Sequence, residues 1–213
     1  MKTSAIILCF TLCAAHADTL LDFRLPGRAG GGISPGAPYS FASAFSVGAS
    51  DVEITSISFL LGGRSDTPYE FTAYIFSNSV DHPGTLLGSS HRSFVAGDFT
   101  GQGGAFYQFA FSAPLPLSAG VRYWASIGTY PAGYPPVIYD TSYLEDFTSH
   151  GIEPSLSLAT SSSYHPTEWG VNAPTDTLVY KLEGSVIPEP GSAGLLVMGF
   201  GLAARRCRRQ AKR

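Results

Sequence analysis

The chain reads as all-β: a single antiparallel β-sandwich of about seven to nine strands, flanked by an N-terminal signal helix and a short C-terminal transmembrane helix. Three observations predict this. Apolar residues alternate with period two at short intervals, as half-buried strands require. Gly (24) and Pro (15) are abundant and fall between those segments, where turns are needed. Charged residues are only 14% of the chain against 13% aromatics, which suits strands and leaves no convincing amphipathic helix.

The N-terminus reads Met1-Lys2-Thr3-Ser4, an apolar run Ala5 to Ala14, then Ala15-His16-Ala17 before Asp18. One positive charge, a short hydrophobic stretch and an Ala-x-Ala site make a secretory signal peptide, cleaved after Ala17. The run is too short for a permanent span, which needs about 20 residues. Leu8 and Leu12 precede the two nearby cysteines, where a lipoprotein needs a small residue. Residues 1–17 are therefore the signal peptide, 18–185 the β-sandwich and 186–213 a C-terminal signal. Export implies the Sec translocon and signal peptidase as partners.

Within the sandwich, Gly30–Gly32 to Pro38 reads as a loop. Val52 and Ile54 share one face, whereas Ile57, Phe59 and Leu61 follow on the other parity; a bulge near Thr55-Ser56 would realign them. Tyr69, Phe71, Ala73 and Ile75 alternate with Glu70, Thr72, Tyr74 and Phe76, so this strand is expected to be covered on both faces. Ala105, Tyr107, Phe109 and Phe111 form another face. Val121, Tyr123, Ala125 and Ile127 form one more, with Trp124 opposite and expected in the core. Gly62-Gly63, Asp81-His82-Pro83-Gly84, Gly101–Gly104 and Ser118-Ala119-Gly120 are read as turns. Tyr130 to Pro136 is a loop, and Asp140 to Gly170 is polar, with one strand around Leu156 and Leu158. A late strand covers Leu178 to Leu182.

Charge is unevenly spread. Between Asp18 and Ile187 there are six basic and fifteen acidic residues, a balance of −9, while Arg205 to Arg213 carries six basic and no acidic ones. An acidic body is a poor phosphate binder, which argues against nucleic acid as a partner. Cys9, Cys13 and Cys207 all lie outside residues 18–187. A disulfide and a cysteine-ligated zinc site are thereby excluded from the folded part.

The C-terminus runs Val186-Ile187-Pro188-Glu189-Pro190, then Gly191 to Ala204, then Arg205-Arg206-Cys207-Arg208-Arg209. As a helix, Ser192–Ala204 would be about 20 Å long, shorter than the ~30 Å hydrocarbon core. It spans only with thinning or with arginines snorkelling. Arg205, Arg206, Arg208 and Arg209 resist translocation and set the topology, leaving the sandwich outside. Pro188 and Pro190 hold an extended strip that a membrane-embedded protease can read. These features, in this order over roughly 25 residues, resemble the PEP-CTERM sorting signal of Gram-negative bacteria. The resemblance implies an exosortase as partner and Pro188, Glu189 and Pro190 as the sorting motif. It also implies transient anchoring in the inner membrane, followed by release to the cell surface or the extracellular space.

A second resemblance rests on Ala44-Phe45-Ser46-Val47-Gly48, Ile54-Thr55-Ser56-Ile57, Tyr74-Ile75-Phe76-Ser77, Pro83-Gly84-Thr85-Leu86-Leu87 and Leu117-Ser118-Ala119-Gly120-Val121-Arg122-Tyr123-Trp124. Over residues 38–130 the chain is similar to bacterial choice-of-anchor domains of the R type. The resemblance implies an extracellular β-sandwich without assigned catalytic residues.

Chemistry-bearing patterns are sparse. His82, His91, His150 and His165 show no metal-binding spacing, and Asp98-Phe99-Thr100-Gly101 lacks the alternating oxygens of a calcium loop. Glu145-Asp146 are adjacent acids in a polar loop, whereas a glycosidase needs two carboxyls across a bound sugar. There is no Gly-x-Ser-x-Gly elbow and no phosphate loop. No catalytic residue, metal or cofactor is expected. Among the aromatics, Tyr130, Tyr134, Tyr139 and Tyr143 are candidates for stacking on a sugar, although tyrosines flanked by Gly and Pro commonly cap a sandwich end. Trp169 and Tyr164 are weaker ones. The expectation is a non-enzymatic, exosortase-sorted surface or matrix protein, associated with exopolysaccharide and biofilm by family context. A carbohydrate-binding module and a glycan-active enzyme are the alternatives.

Overall fold

The structure, a computed structural model, describes residues 17–23, 32–33, 40–64, 68–95, 97–98, 100–130, 137–141, 147–161, 168–173 and 177–188. Both expected terminal helices fall outside these residues. Among the described residues there is no helix, only fourteen strands. They are β1 Asp18–Phe23, β2 Gly32–Ile33, β3 Ser40–Val47, β4 Val52–Arg64, β5 Tyr69–Ser79, β6 His82–Phe94 and β7 Thr100–Leu117. The chain continues with β8 Arg122–Tyr130, β9 Val137–Thr141, β10 Phe147–Ser149, β11 Ile152–Ser161, β12 Gly170–Ala173, β13 Thr177–Leu178 and β14 Tyr180–Val186.

These strands make two antiparallel sheets. The first runs β10-β1-β14-β4-β9-β13, with β7 also on β4 and β2 on β9; the second runs β12-β11-β3-β8-β5-β6. Fourteen exceeds the seven to nine expected because β2, β9, β10, β12 and β13 have two to five residues. Runs that short display no period. The segment Asp140–Gly170, expected to hold one strand, contains β10 and a ten-residue β11, and it meets β9 and β12 at its ends.

The core lies between the sheets. Ile54, Ile57, Phe59, Leu61, Tyr180 and Leu182 from the first sheet meet Phe41, Phe45, Phe71, Ile75, Tyr123 and Ile127 from the second. Aromatic edges organise the contact: Phe59 stands edge-on to Phe109 at 6.3 Å, and Phe71 edge-on to Phe94 at 5.6 Å. Such pairs add about 0.5–1.5 kcal/mol beyond area burial. Hydrogen bonds also join the two layers: the Leu178 N–H donates to the buried Ser43 Oγ at 2.6 Å, and from β6 the Ser90 hydroxyl and the Arg92 guanidinium donate to the Ala110 and Gln108 carbonyls of β7 at 2.7 and 3.2 Å.

The bulge expected near Thr55 is present. β4 shifts register between Ile54 and Ser56 against β7, and β14 shifts between Glu183 and Gly184 against the same point. Thr55 is skipped in both ladders, so Val52, Ile54, Ile57, Phe59 and Leu61 are all buried despite their change of parity. The Thr55 hydroxyl donates to the Glu183 carbonyl at 3.1 Å. Opposite it Gly184 is required, since a Cβ there would collide with the Glu53 carbonyl oxygen.

The second sheet is covered on both faces, as the β5 pattern anticipated. Ala42, Ala44, Tyr74, Phe76, Trp124 and Ala159 form a separate buried cluster on its outer side, with Trp169 against Phe76. Trp124 is fully buried, and its indole N–H donates to Asn78 Oδ1 at 2.8 Å. On the outer side of the first sheet, Gln108 Nε2 and the Ser56 hydroxyl both donate to Glu183 Oε2, at 2.6 and 2.7 Å. Beside them Lys181 pairs with Asp22 and lies over the Phe106 ring. Long polar side chains thus roof Ser56 and Ser58, which are buried on an outer face.

Several turn assignments are corrected. Gly62-Gly63 and Gly101–Gly104 are not turns: Gly63 pairs with Gly101 inside the β4–β7 ladder, beside an irregularity. The β5–β6 turn is Val80-Asp81, and His82 to Gly84 already belong to β6. Gly84 is constrained by close approach instead, since a Cβ there would lie 2.9 Å from Ser79 Cβ. Val121, expected on the inner face, is exposed just before β8. Of the Ala105–Phe111 face only Phe109 is fully covered; Ala105 is exposed on β7, which borders the first sheet. The turn expected at Ser118–Gly120 is present, with Gly120 at φ 70°.

Candidate functional site

The register places four connections at one end of the sandwich: β3–β4, β5–β6, β7–β8 and β10–β11. β3, β5, β7 and β14 end there, at Val47, Ser79, Leu117 and Val186, and β4, β6, β8 and β11 begin there. Backbone bonds knit this end together. Gly120 N donates to the Val47 and Gly48 carbonyls at 3.0 and 2.9 Å, and Gly48 N donates to the Gly151 carbonyl at 2.8 Å. Gly120 manages this because its left-handed φ needs no side-chain room. Asp51 is the hub: its carboxylate accepts from Ala119 N at 2.8 Å, and its carbonyl accepts from Ile187 N at 2.8 Å.

That last bond closes the fold. Val186 pairs with Val52, Ile187 is tied to Asp51, and the next residue, Pro188, is exposed. Asp18, the first residue of β1, pairs with Gly184 two positions before the end of β14. The chain therefore enters and leaves the sandwich at the same end. Ala17 is exposed just ahead of β1. Ala15, Glu189, Pro190, Arg205, Arg206, Arg208 and Arg209 lie outside the described residues.

The β5–β6 hairpin projects from this end on a two-residue turn in which Val80 (φ 46°) and Asp81 (φ 65°) are both left-handed. Turns of this kind favour Asn-Gly; a β-branched residue in the left-handed region costs roughly 1–2 kcal/mol. Arg122 braces the turn. Its guanidinium donates to Asp81 at 2.9 Å and to the Ser157 hydroxyl at 2.8 Å, and stacks over the Trp124 ring at 5.2 Å. Sequence reasoning missed this arrangement, because Asp-His-Pro-Gly is the stronger turn signal and Val a poor one.

Two of the candidate ligand tyrosines, Tyr130 and Tyr139, belong to the opposite end. Tyr130 is the last residue of β8 and pairs with Glu70 at the start of β5, while Tyr139 pairs with Gly32 where β9 meets the far end of β4. From Val52 to Leu61 along β4 is about 30 Å. Tyr134 and Tyr143 lie outside the described residues, as do Glu145, Asp146 and His165. Among the described side chains no aromatic is exposed; the exposed large hydrophobics are all aliphatic.

Of the histidines, His91 sits on β6 between the Thr72 hydroxyl at 3.2 Å and the Ser93 hydroxyl at 3.3 Å. Among the described residues, no three of His, Cys, Asp and Glu come together as a metal site would need. Asp98 serves its own turn, accepting from Val95 N at 2.9 Å.

No family model matches the sequence, and no curated protein matches it. Among solved structures, one similar chain comes from the structure of infectious bursal disease virus, Gx strain. It is 15% identical over 90% of this chain, with a TM-score of 0.23, and this chain spans 48% of its length. A likeness that low carries no argument about fold or function.

Proposed function

We propose that this chain is an exported, non-enzymatic surface or extracellular-matrix protein, held at the inner membrane by its C-terminal segment and released through Pro188-Glu189-Pro190. The processing enzyme is of the exosortase class, and the destination is exopolysaccharide or biofilm material. One observation carries the reading: among the described residues the final backbone bond of the sandwich is made by Ile187, and Pro188, the first residue of the sorting motif, is exposed. A protease can then cut the strip without dismantling a strand. The N-terminal boundary supports it too, since cleavage after Ala17 leaves Asp18 free to begin β1.

The test separates sorting from topology. Pro188→Ala with Glu189→Ala should give a full-length, membrane-retained protein with its sandwich still outside. Neutralising Arg205, Arg206, Arg208 and Arg209 should give a soluble, unsorted product. Immunoblots of membrane, periplasmic and culture fractions from an exosortase-positive host read both. Release of the Pro-Glu-Pro variant at the wild-type level sinks the sorting reading and leaves a plain anchor.

A second reading, glycan binding, is favoured by one placement: Tyr130 and Tyr139 sit at the end facing away from the chain exit. A ligand there would be clear of the membrane. Alanine at Tyr130, Tyr134, Tyr139 and Tyr143 should then abolish retention on exopolysaccharide without lowering the melting temperature. A glycan-active enzyme through Glu145-Asp146 has no observation in its favour.

A further inference from the structure

Six large apolar side chains are exposed among the described residues, and three of them gather at the chain exit: Val80 (88%), Val121 (40%) and Val186 (37%). The hydrogen bonds already traced link the segments that carry them. Val80 neighbours Asp81, which pairs with Arg122 next to Val121. The adjoining turn, through Ala119, is tied to Asp51, and Asp51 to Ile187 beside Val186. Leu86 and Leu87 lie farther along β6, and Val95 lies at the opposite end. Val80 is the least expected. It is held in a left-handed conformation that suits Asn or Gly, and a nearly fully exposed apolar side chain gains nothing from the fold there.

We infer that this end of the sandwich is a lipid-contacting face, pressed against the bilayer surface while the segment after Pro188 is inserted, the inference resting on the membrane reading of that segment. Chain length makes the contact hard to avoid. Four residue steps separate Pro188 from Ser192, at most about 14 Å of extended chain. The headgroup layer on one side of a bilayer is roughly 5–8 Å thick. The exit end thus rests at or just above the headgroups, and tethering gives even weak apolar contacts a high effective concentration. Charge selects the lipid. Among the described residues Asp18, Asp51 and Asp81 are exposed there with Arg122 opposing them, so the face fits zwitterionic headgroups better than anionic ones.

The test uses residues 18–213, the chain left after signal cleavage, with Cys207→Ser, inserted in phosphatidylcholine vesicles. Single cysteines from Val80→Cys, Val121→Cys, Val95→Cys or Leu196→Cys carry an environment-sensitive fluorophore. With a nitroxide lipid labelled near the headgroup, the labels at 80 and 121 should lose emission and the label at 95 should not. Adding Val80→Asn should reduce the loss at 121, and phosphatidylglycerol should reduce it at both positions. If the label at 196 is lipid-buried while 80 is quenched no more than 95, the lipid-contact inference is wrong and the membrane reading stands. A label at 196 that stays in water overturns both.

Discussion

Tyr180 is fully buried, its ring 6.0 Å from that of Phe59 in the centre of the first sheet's inner face. Burial penalises the phenolate and pushes the phenol well above its ordinary value of 10.0. The folded state therefore holds this proton more tightly than the unfolded chain does. Stability from this group is fully present below pH 10 and falls as pH rises above it, by up to about 1.4 kcal/mol per unit. Urea midpoints measured from pH 8 to 11 should be flat and then decline, with Tyr180→Phe flattening the decline. An unchanged slope in that variant would assign alkaline unfolding to other groups.

At the scale of elements, β4 shows how one unpaired residue can decide which side chains a strand buries. Deleting Thr55 closes the β4–β14 ladder and puts Val52, Ile54, Ile57, Phe59 and Leu61 on one parity, so that variant should still fold. Thr55→Ala, which only removes the hydroxyl bond to Glu183, should cost about 1 kcal/mol. Deleting Ser58, outside the bulge, should instead send Phe59 and Leu61 to the wrong face. Each is worth about 1.5–3 kcal/mol of burial. Their joint loss is a large part of a domain's whole stability of about 5–15 kcal/mol, so this second deletion should fail to fold. Circular dichroism and urea melts of the two deletions distinguish a register device from an ordinary strand residue. The bulge was legible because two parities of apolar residues meet at Thr55-Ser56. The turns at Gly62-Gly63 and Gly101–Gly104 were misread because glycine marks close backbone approach as readily as a reversal. The Val80-Asp81 turn was invisible, since strand pairing and Arg122 impose a conformation that neither residue prefers.

For the molecule as a whole, the two sheets hold each other through apolar contact. No cysteine lies between residues 18 and 187, so a fragment of that span should melt at the same temperature with and without reducing agent. EDTA should leave the melt unchanged as well; a large fall would reveal an oxygen-ligand calcium site in the loops. By itself the sequence determined the all-β class, the strand faces of β4, β5 and β8, the bulge, and the core position of Trp124. Those follow from local periodicity and residue size, which short-range physics dictates. Only the tertiary structure decided that Asp18 and Pro188 share one end, that Tyr130 and Tyr139 share the other, and that Val80, Val121 and Val186 are gathered at the first. Such relations depend on strand order and register between distant segments such as β1 and β14. No local pattern encodes a pairing across that separation, because its energy arises only when both partners meet in the assembled sheet.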